Sequence, residues 1–473
     1  MAFCNPFLRL ATCRAVARAF LRGLRIALPI ALALTLGIEP AMAQSGDVIR
    51  DTEIERLLRS YEEPILKAAG IDPASVKMYL LDDPTINAAA TYSPDPAEGV
   101  VIVVNAGTLL ELDTPNQMIG VLAHETGHIA GGHLTRDRGA ISKAMIPMLI
   151  GMALGVAVMV AGGGEAGMAV MGLGQQAAQA TFNQFSRAQE GTADRMGQKF
   201  LLATHQSGRG MLEVFEKFAR DEARYKIDPM YLDHPLSRER IDMLQQLVDA
   251  SPYKDIKDSP EAVHRFQLVQ AKLAGYLDNV DTVLRRYPPS DTSEPAQYAR
   301  AMAYFRKPDM AKALAEANNL VKEEPKNPYF WEVLGQIYVE MAQPLKGIGP
   351  YQKSVDLAPD APLLRISLAA AQIATENPAL TQSAIANLKV ALQQESNNTF
   401  GWYEAAQAYS DANDQPMADL ATAERYYSVG GWKQAMIFAG RAQRGLPEGS
   451  RDWERAQDIQ AVAGPQAKQD SQN

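Results

Sequence analysis

Between residues 301 and 369 the chain returns to the same residue classes every 34 positions, and no other feature constrains its fold as strongly. Ala301, Gly335 and Ala369 are spaced by 34, as are Tyr304 and Tyr338, and Pro325 and Pro359. The middle copy carries Trp331, Leu334, Gly335, Tyr338, Tyr351 and Pro359. A unit of that length with a small residue at its centre is a helix–turn–helix: the small residue lets two helices cross closely, and the proline ends the second.

The order W-x-x-L-G-x-x-Y…P matches the tetratricopeptide repeat at its own period. A less regular fourth copy begins near Trp402, Ala406 and Tyr409, and helices are expected to continue past Trp432 to about Ile459. A plain helical bundle is the alternative, and three coincident periods speak against it. Stacked repeats of this kind form a concave face that binds peptide or protein. The array is expected over residues 261–463, with a polar tail at 464–473.

The N-terminal end has a different composition. Arg9, Arg14, Arg18, Arg22 and Arg25 precede an apolar run from Ile26 to Ile38, and Ala41-Met42-Ala43 follows. Basic head, short apolar stretch and small-x-small site are the three parts of a secretory signal peptide, expected at 1–43. The alternative is an uncleaved anchor, but 13 apolar residues are short for a span of roughly 20. Without residues 1–43 the chain keeps 41 Lys+Arg against 54 Asp+Glu, a net charge of −13. That balance argues against a nucleic-acid partner. Cys4 and Cys13 are the two cysteines, so the expected mature chain has none and cannot be a cysteine enzyme.

Within a domain expected over residues 44–250, residues 44–135 read as mixed α and β. Val76–Leu81, Ile86–Tyr92 and Val100–Val104 are strand-like, and a helix is expected from Pro115 or Asn116 through His133. The stretch 144–161 is apolar and uncharged, and 162–175 is rich in Gly, Ala and Met. Pro147, Gly151 and Gly155 interrupt the first, so 144–180 is expected to cover the active site or lean on a membrane rather than span it. Polar helices are expected from about Gln176 to Val248. Ser251–Pro260 reads as a linker.

The chemistry lies in His124-Glu125-Thr126-Gly127-His128, an H-E-x-x-H sequence inside an apolar helix. Residues four apart share a helix face, so both imidazoles can reach one ion, with Glu125 beside it as base. One zinc per chain with an open position is expected. Two core histidines placed by chance are the alternative. Position 134 is Leu, which excludes a third His six residues on, and His133 would point off the metal face of a continuous helix, as a structural or surface residue. Downstream, Glu190 and Asp194 share a face in E-x-x-A-D. Glu190 can bind a metal and Asp194 can orient a ligand histidine, or the pair is a solvated acidic face.

His124 to His133, then Ser186-Arg187-x-x-Glu190-x-x-Ala193-Asp194-x-x-Gly197, then His234-Pro235-x-x-x-x-Arg240, together resemble the zinc metallopeptidases of the HtpX and Oma type. The signal peptide and repeat array narrow the likeness to periplasmic chaperone-proteases of outer-membrane protein assembly. The resemblance implies an α+β zincin (gluzincin-like) domain, mostly helical with a small sheet, before the all-α tetratricopeptide domain. It implies His124, His128 and Glu190 as zinc ligands and Glu125 as catalytic base. It places His234 near the metal, as a fourth ligand in a latent state, and Arg240 near the site, steadying the developing oxyanion. The strand Ile86–Thr91 resembles the family's edge strand, which holds substrate by strand addition. The implied partners are unfolded or misassembled outer-membrane proteins, the assembly machinery through the repeats, and a peripheral membrane contact. A repeat-based chaperone or scaffold with a latent or vestigial peptidase site is the competing reading.

Overall fold

The computed structural model describes residues 48–93, 98–134, 164–225 and 238–470. The expected signal peptide, His234 and the apolar run at 144–161 lie outside the described residues. The chain forms two compact units, Ile54–Gln267 and a second made of the N-terminal residues through Glu53 with Leu268–Asn473. Its strands are β1 (Val48–Ile49), β2 (Val76–Leu81), β3 (Ala88–Tyr92) and β4 (Val100–Asn105). Its helices begin with α1 (Thr52–Ala68), α2 (Ala106–Glu111), α3 (Pro115–Ala130), α4 (Gly164–Ala203), α5 (Arg209–Tyr225) and α6 (Arg238–Ala250).

In the first unit β4 lies between β2 and β3, parallel to β2 and antiparallel to β3. Its sequence, Val-Val-Ile-Val-Val-Asn, is apolar up to Asn105 because both of its faces are covered; Val101, Ile102 and Val104 are buried. Strand β3 is at the sheet's edge. Ser93 N donates to Gly99 O and Asn105 N to Asn87 O. In an antiparallel ladder this alternation turns the amides of Ala88, Ala90 and Tyr92 away from β4.

Helix α3 starts at a cap: the Thr114 hydroxyl accepts from Gln117 N at 3.2 Å, and Pro115 takes the first turn. It ends at Ala130, three residues before the expected end. Gly131 closes the last turn and Gly132 adopts φ +65°, a left-handed conformation that suits glycine. Helix α4 begins at Gly164, earlier than the sequence pattern predicts; the Ala and Met residues among the glycines of 164–175 are strong helix formers. Residues 251–258 fold onto this unit, with Ser207 Oγ donating to Lys254 O and Asp258 accepting from Asn116 N.

The boundary at Gln267 falls within α7 (Pro260–Leu277), and the second unit continues with α8 (Val280–Arg286), α9 (Glu294–Arg306), α10 (Met310–Glu323), α11 (Pro328–Glu340), α12 (Pro344–Leu357), α13 (Pro362–Ile373), α14 (Pro378–Gln394), α15 (Thr399–Asp411), α16 (Gln415–Tyr427), α17 (Trp432–Gly445) and α18 (Arg451–Asp470). The 34-residue period appears in this helix order. Ala301, Gly335 and Ala369 are buried on α9, α11 and α13. A Cβ on Gly335 would lie 2.7 Å from the Tyr351 ring of α12, which explains the glycine. A second periodic contact is less obvious in the sequence. Trp331 Nε1 donates to Pro325 O, Arg365 Nε to Pro359 O and Trp402 Nε1 to Ser396 O, each six residues back across a turn. Among the described residues, no helix is long and apolar enough to cross a membrane.

Candidate active site

Two helices bring the polar residues together because glycine and alanine let them touch. A Cβ on Gly127 of α3 would lie 2.5 Å from the Ala193 carbonyl oxygen of α4, and one on Gly197 would lie 3.1 Å from the Ala123 backbone. Glu190 and Asp194 lie on the same face as Ala193 and Gly197, so this close crossing carries both carboxylates to the H-E-x-x-H turn.

There His124 Nε2 is 3.1 Å from His128 Nε2. Glu190 Oε2 is 3.4 Å from His124 Nε2, and Glu190 Oε1 is 3.4 Å from His128 Nε2. Four zinc bonds of about 2.0–2.2 Å in a tetrahedral array separate the ligand atoms by roughly 3.4 Å. The three donor atoms therefore have the spacing of three corners of such a site. Two imidazoles and a carboxylate also suit zinc chemically. His124 is 4% exposed and Glu190 3%; buried groups of this polarity need either a metal or charge partners.

The far side of each imidazole is also occupied. His124 Nδ1 lies 3.0 Å from Asp194 Oδ1. Arg240 then grips Asp194 with two bonds, Nε to Oδ2 at 2.7 Å and Nη2 to Oδ1 at 2.8 Å, and Nη2 also lies 3.0 Å from Glu190 Oε2. Burial alone would raise the Asp194 carboxyl, but hydrogen bonds from Arg240 and His124 hold it below the usual range. Burial would likewise lower His124, and the Asp194 and Glu190 carboxylates outweigh it, pushing the metal-free imidazole up to about 10. The Arg240 guanidinium stacks over Phe215, 4.9 Å from the ring centre, and Phe215 meets His124 edge-on.

Glu125 is 2% exposed, and its Oε2 accepts from the Ala90 amide of β3 at 2.8 Å. Beside it a cavity of about 40 Å³ has apolar walls from Ala88, Val121, Val214, Phe215 and Phe218, with polar residues that include Thr108 and Arg240 completing the lining. That is room for roughly three waters, or for a small apolar group.

Six of the seven site residues read from the sequence thus stand within one cluster; the seventh, His234, is outside the described residues. The sequence reading missed three contacts: Ala90 to Glu125, Phe215 to His124, and His133 to His128. His133 is 2% exposed, and its Nδ1 is 3.1 Å from His128 Nδ1. It is a buried residue and not a surface one, because α3 is not continuous: the Gly131-Gly132 turn folds His133 back beneath the helix. That glycine pair was the available signal. Nothing in the sequence marks Phe215.

Residues 50–248 match the model of peptidase family M48. A putative beta-barrel assembly-enhancing protease of Vibrio cholerae is 25% identical over 300 residues, 61% of this chain and 60% of that protein. The beta-barrel assembly-enhancing protease of Yersinia pestis is 24% identical over 423 residues, 88% of this chain and 84% of that one. Metalloprotease LoiP of Escherichia coli is 31% identical over 183 residues, 38% of this chain and 66% of its own length. The chain spans less than two thirds of the Vibrio relative and more than four fifths of the Yersinia one.

Proposed function

We propose, from the match of residues 50–248 to peptidase family M48 that marks this chain as a metalloendopeptidase, that it is a periplasmic zinc enzyme that degrades misassembled clients of outer-membrane protein assembly. Its helix pairs, read as tetratricopeptide repeats, hold the client or the machinery that carries it. The relatives support this reading because the likeness to the Yersinia protein runs over 88% of the chain and so extends into the repeats. The observation that carries the chemistry is the convergence of His124, His128 and Glu190 beside the carboxylate of Glu125.

His124, His128 and Glu190 would hold the zinc, whose chemistry there is to lower the pKa of an attacking water to about 7 and to polarise the scissile carbonyl. Glu125 would serve as the general base toward the attacking water and as the acid toward the leaving amine. The Ala90 amide keeps the Glu125 carboxylate beside the sheet edge. That edge receives the client as an added strand, with the cavity beside Glu125 taking an apolar side chain. Asp194 fixes the His124 ring, and Arg240 acts through Asp194 and Glu190 as a positioning residue. Strand addition selects unfolded chain, since a finished barrel has no unpaired edge to offer.

The test is cleavage by residues 44–473 of one outer-membrane barrel protein in two states, unfolded and folded in detergent. The unfolded form is expected to be cut and the folded form spared, with neither cut by Glu125→Gln. Equal cutting of both forms would overturn the proposed selectivity. Binding of the unfolded form without any cleavage would move the chain to the chaperone reading.

A further inference from the structure

We propose that His133 is a positioning residue for the metal: it accepts a hydrogen bond from His128 and thereby fixes the tautomer in which His128 binds the ion. The inference rests on the metal assignment above and concerns a residue outside that ligand set.

The argument starts from the two nitrogens of His128. Its Nε2 faces His124 Nε2 at 3.1 Å and Glu190 Oε1 at 3.4 Å, so Nε2 is the atom turned to the metal and must present a lone pair. A neutral imidazole then carries its proton on Nδ1. The atom facing Nδ1 is His133 Nδ1, 3.1 Å away, with the two rings nearly perpendicular at 80°. For the pair to bond, His128 Nδ1–H donates and His133 Nδ1 accepts, which puts the His133 proton on Nε2. A ligand histidine whose second nitrogen is engaged in this way is oriented and more basic. The other ligand imidazole is already served, with His124 Nδ1 3.0 Å from Asp194. His133 completes the pair of outer partners, one for each histidine.

The backbone is shaped to permit this contact. A Cβ on Gly131 would lie 2.5 Å from His133 Nε2, and Gly132 has φ +65°. A side chain at 131 would displace the ring, and one at 132 would strain the turn that aims it. At 2% exposure, His133 is also too deeply placed for a surface role.

The test is zinc affinity of the full mature chain, 44–473, by competition with a chromophoric chelator, compared for wild type, His133→Leu and His133→Asn. Asn places its carbonyl oxygen where His133 Nδ1 lies; Leu offers no acceptor. Melting of the zinc-free proteins checks that each variant folds, and His133→Phe replaces Leu if Leu does not. His133→Leu should bind zinc roughly 10- to 100-fold more weakly, with Asn within about threefold of wild type. Wild-type affinity in the Leu variant, or equal loss in Leu and Asn, overturns the proposal, the second outcome assigning His133 to packing alone. A wild type that takes up no zinc overturns the metal assignment instead, so the two failures are distinguishable.

Discussion

At the scale of residues, Arg240 stands where two buried carboxylates need a cation. Asp194 is fully buried and Glu190 nearly so, and one guanidinium bonds the first twice and the second once. Asp194 in turn holds His124. Asp194→Asn should keep the fold and weaken zinc binding by roughly 10- to 100-fold, read by chelator competition. H-E-x-x-H was legible because its ligands are four apart, a spacing the helix alone converts into a shared face. Glu190 and Asp194 were legible for the same reason, as a second local pair. Arg240 was accessible only through the family resemblance, since no local rule connects it to a carboxylate 46 residues back. In the helical second unit Glu404 presents a different case: burial pushes its carboxyl up to about 7. A folded-state pKa raised above the unfolded value means the fold holds the proton more tightly. The stabilising contribution is full below the unfolded pKa of about 4.5 and is lost as pH rises through about 7. Glu404→Gln should therefore raise the melting temperature at pH 8 by about 2–5 °C and leave it nearly unchanged near pH 4.5.

At the scale of elements, the site is made by the crossing of α3 and α4. Gly127 has only backbone opposite it: a Cβ there would meet Ala193 O at 2.5 Å and Ala193 Cα at 2.9 Å. Unlike a flexible side chain, that backbone has no rotamer to change. Gly127→Ala should push α4 away and carry Glu190 from the two histidines, costing about 1–3 kcal/mol of stability. Zinc affinity should fall with it, checked by thermal melting and chelator competition on the same samples. The helices and strands themselves were largely readable: the apolar run of β4, the Thr114 cap and Pro115 of α3, and the 34-residue period all have local causes. Two boundaries were not. The end of α3 depends on a left-handed Gly132, and periodicity does not register a turn that reverses a single side chain. The start of α4 depended on how a mixture of Ala, Met and Gly resolves, and the helix formers prevail there.

At the scale of the whole molecule, each unit has its own source of order. In the second unit the short N-terminal segment is tied to the helices by buried charge. Lys272, 2% exposed, lies 2.6 Å from Asp51 and 3.4 Å from Glu53, and Tyr298 also donates to Glu53. Arg50 meets both oxygens of Glu395. The sequence gives no hint of these pairs, which join residues more than 200 positions apart. Lys272→Met would leave three carboxylates, Asp51, Glu53 and Glu332, without their shared cation and should destabilise this unit by about 3–5 kcal/mol, seen in denaturant melts followed by tryptophan fluorescence. All four tryptophans lie in this unit. The proposed chemistry belongs to the first unit, where the H-E-x-x-H helix and Glu190 would hold one catalytic zinc and Glu125 would carry the proton. Its most direct test is casein cleavage, with zinc content measured on the same samples, for wild type and Glu125→Gln. Each is assayed as purified, after chelation, and after zinc is restored. Wild type should hold one zinc per chain, lose activity with the metal and regain it on restoration, while Glu125→Gln should hold zinc equally and cut about 10²–10⁴-fold more slowly. Cleavage that survives chelation, or a Glu125→Gln chain as active as wild type, would contradict the account.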